Sequence, residues 1–213
     1  MFAQVSKWIA GALLMAAAAV HAEEYTAGKE YKVLAEPVTV LADGKVHVEE
    51  AFWYGCPHCF HLESIIKPWK EQLAADVDFQ GVPAMFGRAW VVHAQLFHVA
   101  DVLGVEKKVH DDIFKAIHVD RQRLLSRDEQ RDFLVEKAGI SAEDFDKAYD
   151  SFAVKSRMKQ GDQRIRAFQI SGVPALIVQG KYVIDATSAG GQPQMLKVAD
   201  FLIEKERAAL AGK

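Results

Sequence analysis

Two cysteines separated by two residues are the most reactive feature of this sequence. Residues 52–60 read FWYGCPHCF, and Cys56 and Cys59 are the only cysteines among 213 residues. Such a pair could be a structural disulfide, part of a metal site, a haem attachment site or a redox centre. Each alternative makes a different demand on the neighbouring residues.

The residues around the pair argue against three of these alternatives. Haem attachment requires a histidine directly after the second cysteine, and Phe60 occupies that position. A zinc site needs ligands on all sides of the ion, whereas the two cysteines, His58 and His61 are crowded into six residues. A disulfide closing so short a loop would stabilise the fold by only about 2 kcal/mol. We therefore expect no metal and no cofactor other than a redox-active Cys56–Cys59 disulfide.

The predicted elements place the pair at the junction of a strand and a helix. Residues 46–54 are rich in β-branched and aromatic side chains, which predicts a strand. Apolar residues then recur at helical spacing over residues 62–73. The helix should run from about Cys56 to the mid-seventies, with Pro57 in its first turn, where a missing N–H is tolerated.

This position gives the two cysteines different reactivities. At a helix N-terminus, unpaired backbone N–H groups and the helix dipole stabilise a thiolate, and His58 adds positive charge nearby. We expect Cys56 to be an exposed nucleophile of low pKa, tuned by Pro57 and His58. Cys59, one turn further into the helix, should be a more buried resolving thiol. A stabilised thiolate favours the reduced form, so the disulfide should be a strong oxidant.

The remaining elements indicate an α/β chain with a helical insertion. Residues 31–34 and 77–82 are predicted strands, residues 90–168 are almost entirely amphipathic helix, and ALIVQGKYVID after Pro174 predicts a β-hairpin turning at Gln179-Gly180. A last helix should end near Leu210. The predicted domains are therefore residues 23–89 with 169–213, interrupted by a helical domain at 90–168.

The first residues predict export. Lys7 precedes an apolar run that ends at small residues, so residues 1–22 are expected to be a removed signal peptide. The run is short of the roughly 20 residues that a spanning helix needs. A formal net charge of −3 gives no reason to propose nucleic acid as a partner.

Taken together, the motifs resemble the DsbA family of periplasmic thiol:disulfide oxidoreductases, in the thioredoxin superfamily. The resemblance rests on the strand ending in FWYG, the CPHC centre, the helical insertion, and Gly172-Val173-Pro174-Ala175 before a hairpin. It extends from about Glu23 to Leu210. It implies a thioredoxin fold with a helical domain between its βαβ and ββα halves, and reoxidation by a membrane quinone reductase of the DsbB type.

The resemblance also implies a cis proline beside the cysteines. The tetrapeptide GVPA occurs twice, at residues 81–84 and 172–175. Only the second leads into the predicted hairpin, so Pro174 is assigned as the cis proline and Pro83 is interpreted as a loop residue. Backbone near Val173 should then bind substrate.

Glu50 is a candidate for proton transfer. Strand alternation puts it on the same face as apolar residues of the strand, so burial should raise its pKa and let it exchange protons with Cys59. The family has an acid six residues before its first cysteine, which matches Glu50. Relatives often carry a basic residue on the third strand, yet this chain has no Lys or Arg between Glu71 and Gly87. The alternative is that Glu49 and Glu50 both face solvent.

The expected activity is a periplasmic oxidase that donates its disulfide to folding exported proteins and acts as a monomer. A reductase or disulfide isomerase on the same fold is the enzymatic alternative. An envelope binding or chaperone module with incidental cysteines is the alternative from another functional class.

Overall fold

A five-stranded mixed sheet forms the centre of the computed structural model, which describes residues 24–212. The strands, numbered along the chain, are β1 (Lys32–Val33), β2 (Val46–Phe52), β3 (Val77–Pro83), β4 (Ala175–Val178) and β5 (Tyr182–Asp185). Their order in the sheet is β1-β5-β4-β2-β3. The β2–β3 pair is parallel, and the other neighbouring pairs are antiparallel. The predicted signal peptide lies outside the described residues.

Eight helices accompany the sheet in the described part of the chain. They are α1 (Pro57–Gln72), α2 (Arg88–Val102), α3 (Glu106–His118), α4 (Arg127–Ala138), α5 (Ala142–Tyr149), α6 (Phe152–Ala167), α7 (Ala186–Ala189) and α8 (Gln192–Ala211). Helices α2 to α6 follow one another between β3 and β4, as the sequence predicts. The domain boundaries near residues 90 and 168 stay a prediction.

The two faces of β2 explain how the sheet is covered. Val46 and Val48 pack in one apolar cluster with residues of α1 and α8, whereas Ala51 packs in another with Ile165 of α6. All seven residues of β2 are buried, because helices cover both faces of this central strand. Side chains alternate between the faces, so Glu50 points to the α1 side and Glu49 to the α6 side.

Helix ends in the insertion follow from local sequence signals. Ser126 accepts a hydrogen bond from the backbone N–H of Glu129, whose side chain accepts from the N–H of Ser126 in return. Ser141 caps α5 through the N–H of Asp144. Helix α4 ends at Gly139 in the left-handed region, with φ of 75°. Ser126 and Ser141 thus cap the starts of α4 and α5, and Gly139 ends α4.

Two details of the fold differ from the predictions made from the sequence. Pro83 is the last residue of β3, paired with Phe52, and the interpretation as a loop residue was wrong. Because β3 is an edge strand, a residue without an N–H is tolerated there. The predicted hairpin is confirmed, but the four-residue helix α7 that follows it gave no periodic signal.

Candidate active site

Cys56 and Cys59 lie at the start of α1, shortly after the end of β2. Cys56 is the N-cap residue, with φ of −86° and ψ of 118°, and Pro57 is the first helical residue. The backbone oxygen of Cys56 accepts a hydrogen bond from the N–H of Phe60 at 3.0 Å. Cys59 is fully buried, one turn inside the helix. Both are free thiols.

Cys56 is less exposed than the sequence suggests. Only 7 % of its surface is accessible, and it belongs to the apolar cluster formed mainly by the inserted helices. Its Sγ lies 3.7 Å from the backbone oxygen of Val173, which is contributed by the distant segment before β4. The expectation that the Cys56 nucleophile is exposed was therefore wrong, because a second part of the chain packs against the thiol.

The surroundings of Cys56 favour its thiolate. A hydrogen bond from the Cys59 thiol is the largest cause and, with the backbone N–H groups of Cys59 and His58 and the charge of His58, lowers the pKa of Cys56 to about 6. Partial burial opposes this shift. The lowered pKa of Cys56 agrees with the prediction from the sequence, which did not include the contribution of the Cys59 thiol.

Cys59 has the opposite environment. Burial is the main reason why its pKa is raised far above that of an ordinary thiol, and the hydrogen bond to Cys56 adds to the effect. The pair is therefore asymmetric in the way that disulfide exchange requires. One sulfur is a stable thiolate near the surface, and the other must receive or lose a proton inside the protein.

The segment before β4 brings a second backbone to the cysteines. The peptide bond between Val173 and Pro174 is cis, so the second GVPA tetrapeptide is the one that carries this geometry. Val173 is half-buried and presents its carbonyl oxygen to Cys56. A groove of about 620 Å³ continues from this point. Its lining includes His58, Val173, Pro174, Asp185, Thr187 and Gln192.

His58 is exposed and lines this groove, so its side chain is accessible to a bound molecule. Its backbone oxygen accepts a hydrogen bond from Nε2 of Gln192 at 2.6 Å. Gln192 is the first residue of α8, and the sequence analysis did not identify it. Only the tertiary fold reveals this contact, because the two residues are 134 positions apart.

Glu50 is buried, as strand alternation predicts, with 2 % of its surface accessible. Its Oε1 has no hydrogen-bond partner among the described residues. Burial is the main cause that raises the pKa of Glu50 to about 7, and the charge of Glu63 adds to it, whereas Lys70 and His110 act in the opposite direction. A carboxyl group with this pKa can both give and accept a proton near neutrality.

The basic groups near Glu50 come from helices and not from β3. Glu50, Lys70 and His110 line one cavity of about 450 Å³ between β2, β3, α1 and α3. Lys70 Nζ lies 3.7 Å from Glu63 Oε2, and His110 Nε2 lies 3.3 Å from Glu63 Oε1. The sequence offered one signal for part of this group, since Glu63 and Lys70 follow Cys56 at intervals of seven residues along α1.

Glu49 is buried too, which rules out the alternative that both acids face solvent. It forms a bidentate ion pair with Arg164 of α6, with Nε to Oε1 at 2.6 Å and Nη2 to Oε2 at 2.5 Å. The adjacent residues Glu49 and Glu50 therefore lie on opposite faces of the sheet. Glu49 attaches the insertion to β2, whereas Glu50 lines the cavity between β2, β3, α1 and α3, and its charge acts on Cys59.

Residues 24–212 contain neither a group of side chains arranged to bind a metal ion nor a helix able to span a membrane. No group of three or more His, Cys, Asp or Glu side chains is arranged to hold a metal ion. No helix in this part of the chain is long and apolar enough to cross a membrane.

Comparisons with known proteins agree on one family. The model of the DSBA-like thioredoxin domain matches residues 66–197. The thiol:disulfide interchange protein DsbA of Pseudomonas aeruginosa is 49 % identical over 191 residues, covering 90 % of each chain. The protein of the same name from Pseudomonas syringae pv. tomato is 45 % identical, covering 96 % of this chain and 95 % of the relative.

Solved structures give the same result. The crystal structure of Pseudomonas aeruginosa DsbA superposes with a TM-score of 0.83 at 49 % identity, covering 89 % of this chain and 97 % of that one. The oxidoreductase DsbA from Xylella fastidiosa gives a TM-score of 0.81 at 30 % identity, covering 86 % and 98 %. The predicted α/β fold, a thioredoxin fold with a helical insertion, is confirmed. This chain belongs to the DsbA family of thioredoxin-like thiol:disulfide oxidoreductases.

Proposed function

We propose that this protein oxidises cysteine pairs in exported proteins by donating its Cys56–Cys59 disulfide. The observation that carries the proposal is the asymmetry of the pair. The Cys56 thiolate is stabilised at the helix start, while Cys59 is buried as a thiol. Stabilising the reduced form in this way makes the disulfide a good electron acceptor.

The reaction proceeds by two thiol-disulfide exchanges. A substrate thiolate attacks Sγ of Cys56, and Cys59 leaves as a thiolate that takes a proton. A second substrate thiolate attacks the substrate sulfur of the mixed disulfide, and Cys56 leaves as its stable thiolate. Two electrons pass from substrate to enzyme, and the substrate gains a disulfide.

Glu50 is assigned as the proton donor and acceptor for Cys59. The carboxyl group is buried on the same side of the sheet as α1, and its pKa is about 7. It gives a proton when Cys59 leaves and accepts one when Cys59 must attack during reoxidation. Changing Glu50 to Gln should slow these steps while leaving the thiolate absorbance of Cys56 nearly unchanged.

The groove beside Cys56 is assigned to the substrate peptide. Val173 and Pro174 form its wall next to the sulfur, and His58 lies at its rim. Contacts made largely through backbone and small side chains would accept many sequences, which suits a substrate that is still folding. We assign His58 and Pro57 to the tuning of Cys56, and the carbonyl oxygen of Val173 to the binding of substrate.

Export and reoxidation complete the proposal. Residues 1–22 would direct the chain to the periplasm and be removed there. The dithiol left after each turnover needs an external oxidant, for which we propose a membrane quinone reductase of the DsbB type. We propose that the protein acts as a monomer and binds no nucleic acid.

The decisive experiment is the equilibrium of the Cys56–Cys59 disulfide against a glutathione buffer, combined with oxidation of a reduced, unfolded substrate. An oxidase should be reduced readily by glutathione and should form substrate disulfides stoichiometrically. A couple as reducing as thioredoxin, about −270 mV, would contradict the proposal and favour a reductase. Cys56→Ser should abolish transfer, and full activity of that variant would point to a binding module instead.

A further inference from the structure

His110 of α3 lies at the boundary between the inserted helices and the redox centre. Its Nδ1 is 3.0 Å from the hydroxyl of Tyr54 and 3.1 Å from Oε1 of Glu106, and its Nε2 is 3.3 Å from Oε1 of Glu63. The side chain is 12 % accessible, between the rings of Phe52 and Phe114. Two carboxylates thus meet one nearly buried imidazole, an arrangement that favours its protonated form.

Burial alone would lower the pKa of His110. The hydrogen bonds and charges of Glu106 and Glu63 outweigh that effect and raise the pKa to about 9. A positive charge is therefore present on this side chain at neutral pH. The aromatic walls limit solvent screening of that charge.

The same helix contacts both the hydroxyl group and the backbone oxygen of Tyr54. His110 contacts the hydroxyl group, and Nε2 of His118 lies 2.7 Å from the backbone oxygen. Tyr54 is two residues before Cys56, so α3 is attached directly to the strand end that carries the cysteines. The position of His110 relative to Glu50 is therefore set by the packing of the insertion.

We propose that His110 is a positioning residue for proton transfer at Cys59: from the inserted domain, it supplies the positive charge that this chain lacks on β3, and it stabilises the carboxylate form of Glu50. This inference rests on the proposed relay. When Cys59 leaves as a thiolate, the proton moves from Glu50 to Cys59 Sγ, and the new carboxylate lies in a cavity that His110 also lines. In reoxidation the proton returns to Glu50.

The other charges around His110 set its effect. Glu106 and Glu63 bind it directly, and Tyr54 contacts it as a neutral phenol whose pKa is raised well above the usual value by burial. The remaining charged groups that line the cavity are Glu50, Lys67, Lys70, Glu71, Lys107 and Asp111. Lys70 is the second cation near Glu50, so removal of His110 should weaken the relay without abolishing it.

The test uses the mixed disulfide of Cys56 with glutathione, from which Cys59 releases glutathione after losing its proton. In His110→Gln the pH midpoint of this release should rise by about one unit, so the rate below the midpoint falls about tenfold. His110→Lys, which keeps the charge, should restore the midpoint. His98→Gln is the matched control, because His98 is a buried histidine of the insertion whose ring nitrogens have no partner among the described residues.

An unchanged midpoint in His110→Gln, or a His110→Lys variant that behaves like His110→Gln, would overturn the proposal. If His110→Gln does not fold, the reciprocal measurement decides. Glu50→Gln should lower the pKa of His110, followed by imidazole NMR, since the interaction of two sites is mutual. An unchanged His110 titration would equally overturn it. Failure of the proposed function is distinct, because it would appear in the wild-type protein, either as a couple as reducing as thioredoxin or as no transfer of the disulfide to substrate, and not as a difference between the His110 variants.

Discussion

Glu50 of β2 and Gly81 of β3 are register partners in the parallel pair, so a side chain at position 81 would lie on the same face as the buried carboxyl group. Gly81 has none, and both residues line the 450 Å³ cavity. A Cβ at Gly81 would lie 3.1 Å from Cε1 of Phe52, so a side chain at this position requires a shift of the Phe52 ring. The missing side chain leaves Glu50 dependent on charges from α1 and α3.

Placing a lysine at this position should alter the acidity of Glu50. In Gly81→Lys, an ammonium group near the carboxylate should lower the pKa of Glu50 from about 7 by about 1–2 units. Carboxyl-carbon NMR would follow the titration. Gly81→Met introduces a side chain of similar length without charge and should not lower the pKa. If the pKa of Glu50 is the same in the two variants, filling of the cavity controls this pKa and the added charge does not.

The second thiol should be responsible for much of the acidity of Cys56. In Cys59→Ala the largest cause of the lowered pKa is lost, so the pKa of Cys56 should rise from about 6 by on the order of one unit. Cys59→Ser retains a hydrogen-bond donor and should show a smaller change. Thiolate absorbance against pH measures both. If the Cys56 pKa in both variants equals that of the wild-type protein, the acidity belongs to the helix N-terminus and not to the Cys59 thiol.

Stability of the reduced protein should depend on pH. The folded pKa of Cys56, about 6, is below its ordinary value of 9.0, so this group stabilises the reduced fold fully above pH 9 and loses the effect as pH falls to 6. At pH 7 the contribution is at most about 1.4 kcal/mol, because solvent screening reduces it. Urea unfolding can be measured for the reduced and the oxidised protein between about pH 5.5 and about pH 9, a range that covers both pKa values. The free energy of unfolding of the reduced protein should rise with pH relative to that of the oxidised protein. A difference independent of pH would contradict the shift.

The Glu49–Arg164 pair should stabilise the fold without taking part in catalysis. Arg164→Met leaves the Glu49 carboxylate buried and unpaired, which should reduce the free energy of unfolding by about 2–4 kcal/mol. Disulfide exchange at Cys56 should be preserved below the unfolding transition. Arg166→Met is the matched control, because its pair with Asp162 lies at the surface, where an ion pair contributes little to stability. Similar losses in the two variants would refute the assignment.

Gly180 should be required by the hairpin that follows Pro174. Its φ is 60°, and a Cβ would lie 2.0 Å from the backbone oxygen of Val38, so Gly180→Ala introduces both strain and a clash with backbone. The free energy of unfolding should fall by more than about 2 kcal/mol. Gly104→Ala, with φ of 70° and open space around the Cβ, isolates the strain and should cost about 1 kcal/mol. Equal losses would show that the loop containing Val38 moves aside.

The sequence by itself determined the features of this protein that depend on short local patterns. The CPHC motif between a strand and a helix identified the redox centre, because thiolate stabilisation at a helix start depends on adjacent residues. Alternation along β2 predicted the burial of Glu50, and the turn residues Gln179-Gly180 predicted the hairpin. Amphipathic periodicity located the inserted helices. Each signal operates over a few residues, within the range that sequence patterns encode.

Tertiary structure decided what lies against these elements. The contact of Val173 with Cys56, the hydrogen bond of Gln192 to His58 and the meeting of His110 with Glu63 join residues 47 to 134 positions apart. Such contacts depend on how helices pack against the sheet, and a single sequence records no pairing between distant segments. The charge environment of Glu50 was therefore settled only by the packing of α1 and α3, since electrostatic effects depend on distance and burial in three dimensions.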